Sequence, residues 1–214
     1  SGQILVSIDA SRELLARHGQ RLIGEVIATV ATARERIAQV PGVRVLQGPG
    51  VDPMKFLVML PGTGAVGYDV EADLIAKGIR VEMSDQDTMG VASSIADRSD
   101  DFDRLVTELT ASIEAHRGSP REIRAAVSWA VEPEVVVSPR DAFFGDRETV
   151  AASEAHGRVC AELVAPYPPG IPVLAPGERV HADTVATLQA MRAAGGRIAY
   201  AADPTLQTLQ VLTA

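Results

Sequence analysis

Residues 167–178 read Tyr-Pro-Pro-Gly-Ile-Pro-Val-Leu-Ala-Pro-Gly-Glu, with prolines at 168, 169, 172 and 176. Each proline fixes φ and removes a backbone donor, so the segment can be neither helix interior nor central strand. It must be a stiff, extended connector. Residues 154–162 predict a short helix leading into it, and residues 180–192 another leading out. Arg158 and Glu178 stand at its two ends, where they could pair across it, or Glu178 could cap the helix that follows.

A chain of 214 residues can hold one large domain or two small ones, each with its own core. Hydrophobic content of 46 % and a mean hydropathy of +0.10 describe a globular chain. No apolar run approaches the roughly 18 residues of a membrane span, and no secretory signal is visible, so no membrane contact is expected. A single cysteine, Cys160, cannot close an intramolecular disulfide and offers no metal-ligand spacing; a reducing, cytoplasmic setting suits it. The formal charge of −8 argues against nucleic acid as a partner, because phosphate neutralisation needs a basic surface.

The pattern along the chain is α/β, with an α+β second half. Apolar residues recur at helical spacing over residues 9–39 (Leu14, Leu15, Leu22, Ile23, Val26, Ile27, Val30, Ile37), and Pro41-Gly42 ends this long interdomain helix. Strands are expected at 43–46, 54–60, 79–83 and 88–95, with a helix at 68–77. A second helix runs over 99–116, capped by Ser99 and carrying acids in its first turn. Together these make a small mixed-sheet domain with helices on one face. Gly118-Ser-Pro120 is the boundary, and Pro120 behind the Ser119 cap starts a helix over 120–129. A strand at 134–137, a helix from 181 or 182 to 194 closed by Gly195-Gly196, and strands at 197–201 and 206–212 complete the chain. The expected division is 1–42, 43–118 and 119–214.

Three blocks carry a resemblance: the proline segment, Ser138-Pro-Arg-Asp-Ala-Phe-Phe144 before it, and the Gly78-Ile-Arg-Val-Glu82 stretch. Residues 4–17 add to it as a helix of the kind that ends a cofactor-binding domain. The whole resembles the C-terminal part of the Orn/Lys/Arg decarboxylases, enzymes that use pyridoxal phosphate (PLP) to remove CO2 from basic amino acids. The resemblance implies a homo-oligomer in which PLP takes up the electron pair left by CO2. It also implies that the cofactor lysine lies outside this chain, because no Ser-x-His-Lys-like segment occurs here. An N-terminal PLP-binding portion and a basic amino acid (arginine, lysine or ornithine) are the partners implied.

Glu82 matches a glutamate that in several such enzymes lies near the distal cationic group of the substrate. An ionised carboxylate there can make a charge-assisted hydrogen bond to an ammonium or guanidinium group. A solvated strand-end acid, or a partner for Arg80, is the structural alternative. The loop that follows, Ser84-Asp-Gln-Asp-Thr88, is more acidic than the family pattern.

Other candidates read as structure. Gly62-Thr-Gly-Ala-Val-Gly67 satisfies G-x-G-x-x-G between a strand and a helix, with Glu82 twenty residues beyond Gly62, and so imitates a dinucleotide fingerprint. The helix it opens carries Asp69, Glu71 and Asp73 where a pyrophosphate would sit, which favours a plain glycine turn. Lys55 and Lys77 lack the desolvated setting of a nucleophilic lysine. His18, His116, His156 and His181 show no metal-binding spacing; His156 is expected to be partly buried, and Cys160 to be a buried thiol on an amphipathic helix. From another class, a chain without the catalytic lysine would also suit a non-catalytic assembly or regulatory module that keeps the family fold.

Overall fold

The computed structural model describes residues 1–122, 132–167 and 170–213. Two units divide the chain, Ser1–Glu122 and Ile123–Ala214. Most of the helix expected over residues 120–129, together with Pro168 and Pro169, lies outside the described residues.

In the first unit, helix α1 (Gly2–Ile37) runs for 36 residues and starts earlier than the periodicity indicates. It contributes to the core only in its second half, where Val26, Val30, Ala33 and Ile37 recur three or four residues apart. Leu14, Leu15 and Ile23, which share that spacing, are exposed, as are Ile4, Leu5, Val6 and Ile8. Arg34 and Arg36 occupy the last turn, where a cation opposes the carbonyl end of the dipole.

Strands β1 (Arg44–Val45), β2 (Lys55–Met59), β3 (Met83–Ser84) and β4 (Thr88–Ala92) form a sheet in the order β1-β2-β4-β3. Every pairing is antiparallel, so the sheet is not mixed as the sequence suggests. The reason is topological. Helix α2 (Gly67–Ala76) carries the chain over so that β3 runs in the same direction as β2, but the Asp85–Asp87 turn folds β4 back between them. The register places Phe56 opposite Val91 and Val58 opposite Met89, so these four apolar side chains share one face. That face joins a single core with Val70 and Leu74 of α2 and with Phe102, Leu109 and Ile113 of α3 (Ser99–Ala115). The N-cap of α3 is Arg98 rather than Ser99, and the Asp101 carboxylate accepts its backbone N–H at 2.9 Å. The strand expected over 79–83 begins only at Met83: Ile79 and Val81 pack on the core, but the Ile79 N–H turns back to Leu74 O of α2 at 2.8 Å.

The second unit holds α4 (Pro139–Phe144), β5 (Arg147–Ala151), β6 (Ala165–Tyr167), α5 (Ala182–Ala193), β7 (Arg197–Ala199) and β8 (Thr208–Leu212). Two antiparallel ladders, β5-β8 and β6-β7, frame a core built on Val164, Leu174, Val180, Leu188, Ile198 and Val211. The helix expected over 154–162 does not form. A 3-10 turn at Ala152–Glu154 is followed by Gly157 at φ +80°, and the chain then extends so that Val159 and Cys160 bridge to Arg179 and Val211. The strand expected over 134–137 is reduced to a bridge from Val135 to Glu178. The described part of the proline segment is not extended throughout: it turns at Gly170 (φ +86°) and at Gly177 (φ +93°), and it is tied to residues 160–164 by Val164 N–H to Leu174 O (2.8 Å) and Gly177 N–H to Cys160 O (2.8 Å).

Candidate functional site

Glu82 sits just before β3 and is exposed. Its backbone N–H donates to Gly90 O at 3.0 Å. Among the described residues its carboxylate takes part in no hydrogen bond or ion pair, so the pairing with Arg80 is not made. It is a fixed backbone position carrying an uncommitted negative charge.

The acidic loop after it is held from several directions. Asp85 accepts the N–H groups of Asp87 (2.8 Å) and Thr88 (2.6 Å) and the Thr88 hydroxyl (2.9 Å), which makes a tight turn. Buried Ser84 donates its hydroxyl to Glu71 of α2 at 2.5 Å. Asp87 is buried and paired with Arg121, whose guanidinium also donates to the carbonyls of Ala65 and Gln86, 2.7 Å each. Burial, and then the nearby carboxylates of Asp85 and Glu71, push the Tyr68 phenol above its ordinary range. The framework beside Glu82 thus rests on Arg121 and Asp87, neither of which the sequence marked. Arg121 stands 34 residues from Asp87, and no local pattern announces such a pair.

The glycine motif is accounted for by packing. A Cβ on Gly62 would strike the carbonyl of Gly42, one on Gly64 the backbone of Gly118, and one on Gly67 the carbonyl of Asp85. The Gly67 N–H, at the start of α2, already donates to Gln86 O at 3.1 Å. These contacts close the turn against the neighbouring backbone, where a pyrophosphate would need open donors.

The two lysines do not fit a cofactor Schiff base. Lys77 Nζ lies 2.5 Å from Glu108 Oε2, and Lys55 is exposed at the start of β2. A nucleophilic lysine needs a desolvated setting, and both of these side chains are exposed. Among the described residues no group of three or more His, Cys, Asp or Glu could hold a metal ion, and no helix is long and apolar enough to cross a membrane.

In the second unit, Arg158 pairs with Glu148 (2.5 Å) and donates to Leu212 O (2.7 Å) rather than meeting Glu178. Glu178 caps no helix; it accepts the Ala175 N–H at 2.8 Å and so closes its own turn. His156 is exposed, not partly buried, and its ring lies 6.5 Å from that of His181. Cys160 is fully buried as expected, on a bridge rather than a helix, and burial pushes its thiol up to about 12.

Residues 122–198 match the family model described as Orn/Lys/Arg decarboxylase, C-terminal domain. An arginine decarboxylase of Halalkalibacterium halodurans is 34 % identical over 98 % of this chain and 45 % of its own length, and one of Bacillus subtilis is 30 % identical over the same shares. The fold is that of the constitutive lysine decarboxylase of E. coli, with a TM-score of 0.74 over 99 % of this chain and 43 % of that one, at 18 % identity. Lysine decarboxylase A from Pseudomonas aeruginosa gives 0.68 over 91 % of this chain and 40 % of its own. The chain is thus similar over nearly its whole length to the C-terminal part of the Orn/Lys/Arg decarboxylases. It spans less than half the length of these relatives.

Proposed function

We propose that this chain is the substrate-side portion of a PLP-dependent decarboxylase of basic amino acids, with arginine or lysine as substrate and Glu82 receiving the distal cationic group. The observation that carries the reading is the exposed, unpaired carboxylate of Glu82 in a chain aligned over nearly its whole length with arginine decarboxylases. Turn bonds at Asp85 and the Arg121 brace hold the loop that follows it, so the acid can meet a cation with little reordering. Within this reading, residues 1–42 bridge from a cofactor domain, 43–118 form the small domain and 119–214 the C-terminal domain. The enzyme is a cytoplasmic homo-oligomer, and its cofactor lysine belongs to an N-terminal PLP-binding portion.

Borohydride treatment of extracts from the source cells, followed by intact-mass and peptide analysis, tests this directly. A species well above 22.6 kDa that contains these peptides and a reduced PLP adduct is expected. A native 22.6 kDa species without adduct, and without a lysine-bearing companion chain, would instead identify a non-catalytic module that retains the family fold.

A further inference from the structure

We propose that an open trough on the second unit binds a small monocarboxylate with an aromatic or branched-alkyl body. The trough encloses about 650 Å³, within the range of small-molecule sites. It lies along the β5-β8 ladder, where Arg147 and Thr149 face Leu212 and Gln210 in register, so their side chains alternate onto one face. The rings of Phe143 and Tyr200 line it and are 49 % and 66 % exposed, an unusual outlay of aromatic surface to leave in water.

Two features point to a carboxylate. The Arg147 guanidinium lies 5.7 Å from the centre of the Phe143 ring, and among the described residues it makes no ion pair. Its neighbour Glu148 is committed to Arg158. Glu162, only 6 % exposed, spends both oxygens on backbone N–H groups, those of Gln210 and Ala202, at 2.6 Å each. Arg147 is therefore the charge that the trough offers to a ligand, and a guanidinium matches a carboxylate in shape and sign. A dianion would add repulsion from Glu162 and from Asp146 beside it in the chain, so a single negative charge fits better. Gln210 donates its amide to Thr149 Oγ1 at 2.8 Å, which leaves its carbonyl oxygen to accept from a ligand N–H or O–H.

The site is also built. Tyr200 holds φ +68°, a left-handed conformation that non-glycine residues adopt at a cost. The bond from Ala202 N–H to Glu162 fixes the turn two residues beyond it, and the bond from Gln210 N–H fixes the facing strand. One buried carboxylate thus sets both sides of the trough.

The test is calorimetric titration of the full-length protein with 3-phenylpropionate, with 3-phenylpropanamide and acetate as controls. Saturable binding of 3-phenylpropionate is expected, at least tenfold weaker for the amide and for acetate. The variant Arg147→Met should weaken it about tenfold, and Tyr200→Ala should weaken it as well. Both positions are exposed at the surface, and circular dichroism checks that the variants stay folded. Equal affinity for acid and amide, or binding indifferent to Arg147→Met, overturns the proposal. So does a change of oligomeric state in the same variants by sedimentation velocity, which would assign the face to contact between copies.

Discussion

Gly42 and Gly62 lie backbone to backbone, each placed so that a Cβ on it would overlap the other's carbonyl oxygen. The contact joins the end of the α1 turn to the start of the glycine segment before α2. Gly62→Ala should therefore cost about 2 kcal/mol, the scale of overpacking against atoms that cannot move aside. Urea denaturation checks this. NAD should give no thermal shift in the unmodified chain.

Among the described residues Arg121 braces three groups: the buried Asp87 carboxylate and the carbonyls of Ala65 and Gln86. Arg121→Met removes one cationic partner of that buried carboxylate together with the donors to two carbonyls. A loss of about 3 kcal/mol in unfolding free energy is expected, larger than for any exposed ion pair of α1 such as Arg17 with Glu13.

Asp73 of α2 reaches α3, where its Oδ2 lies 2.7 Å from the Ser112 hydroxyl and 3.0 Å from His116 Nε2. The Ser112 hydrogen bond, first, and then His116 hold its carboxyl below the ordinary aspartate range. Because the folded value lies below the unfolded one, the ionised form stabilises the fold above about pH 4, and that contribution is lost as pH falls through the folded value. Ser112→Ala should reduce this acid-side slope and lower stability at pH 7 by about 1 kcal/mol, measured by thermal melts across pH 2–7.

Cys160 should be silent toward Ellman's reagent at pH 8 in the native protein and react fully in denaturant. Its thiol is buried and shifted up to about 12, so the thiolate that attacks is scarce and shielded. Rapid native reaction would show local opening of the 159–161 bridge.

Glu82→Gln, made in the full-length enzyme, should lower kcat/KM for the basic amino acid about 10- to 100-fold, mostly through KM, since a charge-assisted bond to the substrate's distal cation is lost. Stability should stay unchanged, because the carboxylate has no partner among the described residues. Unaltered kinetics would remove Glu82 from the site.

What the sequence made legible is what periodicity and proline or glycine punctuation encode. The C-terminal half of α1, helices α2, α3 and α5, and strands β2 and β8 all carry a clear period and a clear stop. Residues 79–82 misled because Ile79 and Val81 alternate toward the core as a strand would, yet β4 offers them no registered partner beyond Met83. Residues 154–162 misled in the opposite sense: their composition suits a helix, but Gly157 turns the chain and Val159 and Cys160 find bridge partners far along the sequence. Glu82 could be singled out from its motif. The Arg121–Asp87 pair and the Glu162 clamp could not, since each depends on residues brought together from distant parts of the chain.

Strand β4 is the last of its sheet to leave the ribosome, and with β2 it is one of the two that lie inside it. Until residues 88–92 emerge, β2 has only the two-residue β1 beside it, and β3 has no neighbour at all. The edge that β4 will occupy is thus open during synthesis, with Phe56 and Val58 uncovered by Val91 and Met89. A pause in translation before that point would leave this chain at its most vulnerable to aggregation.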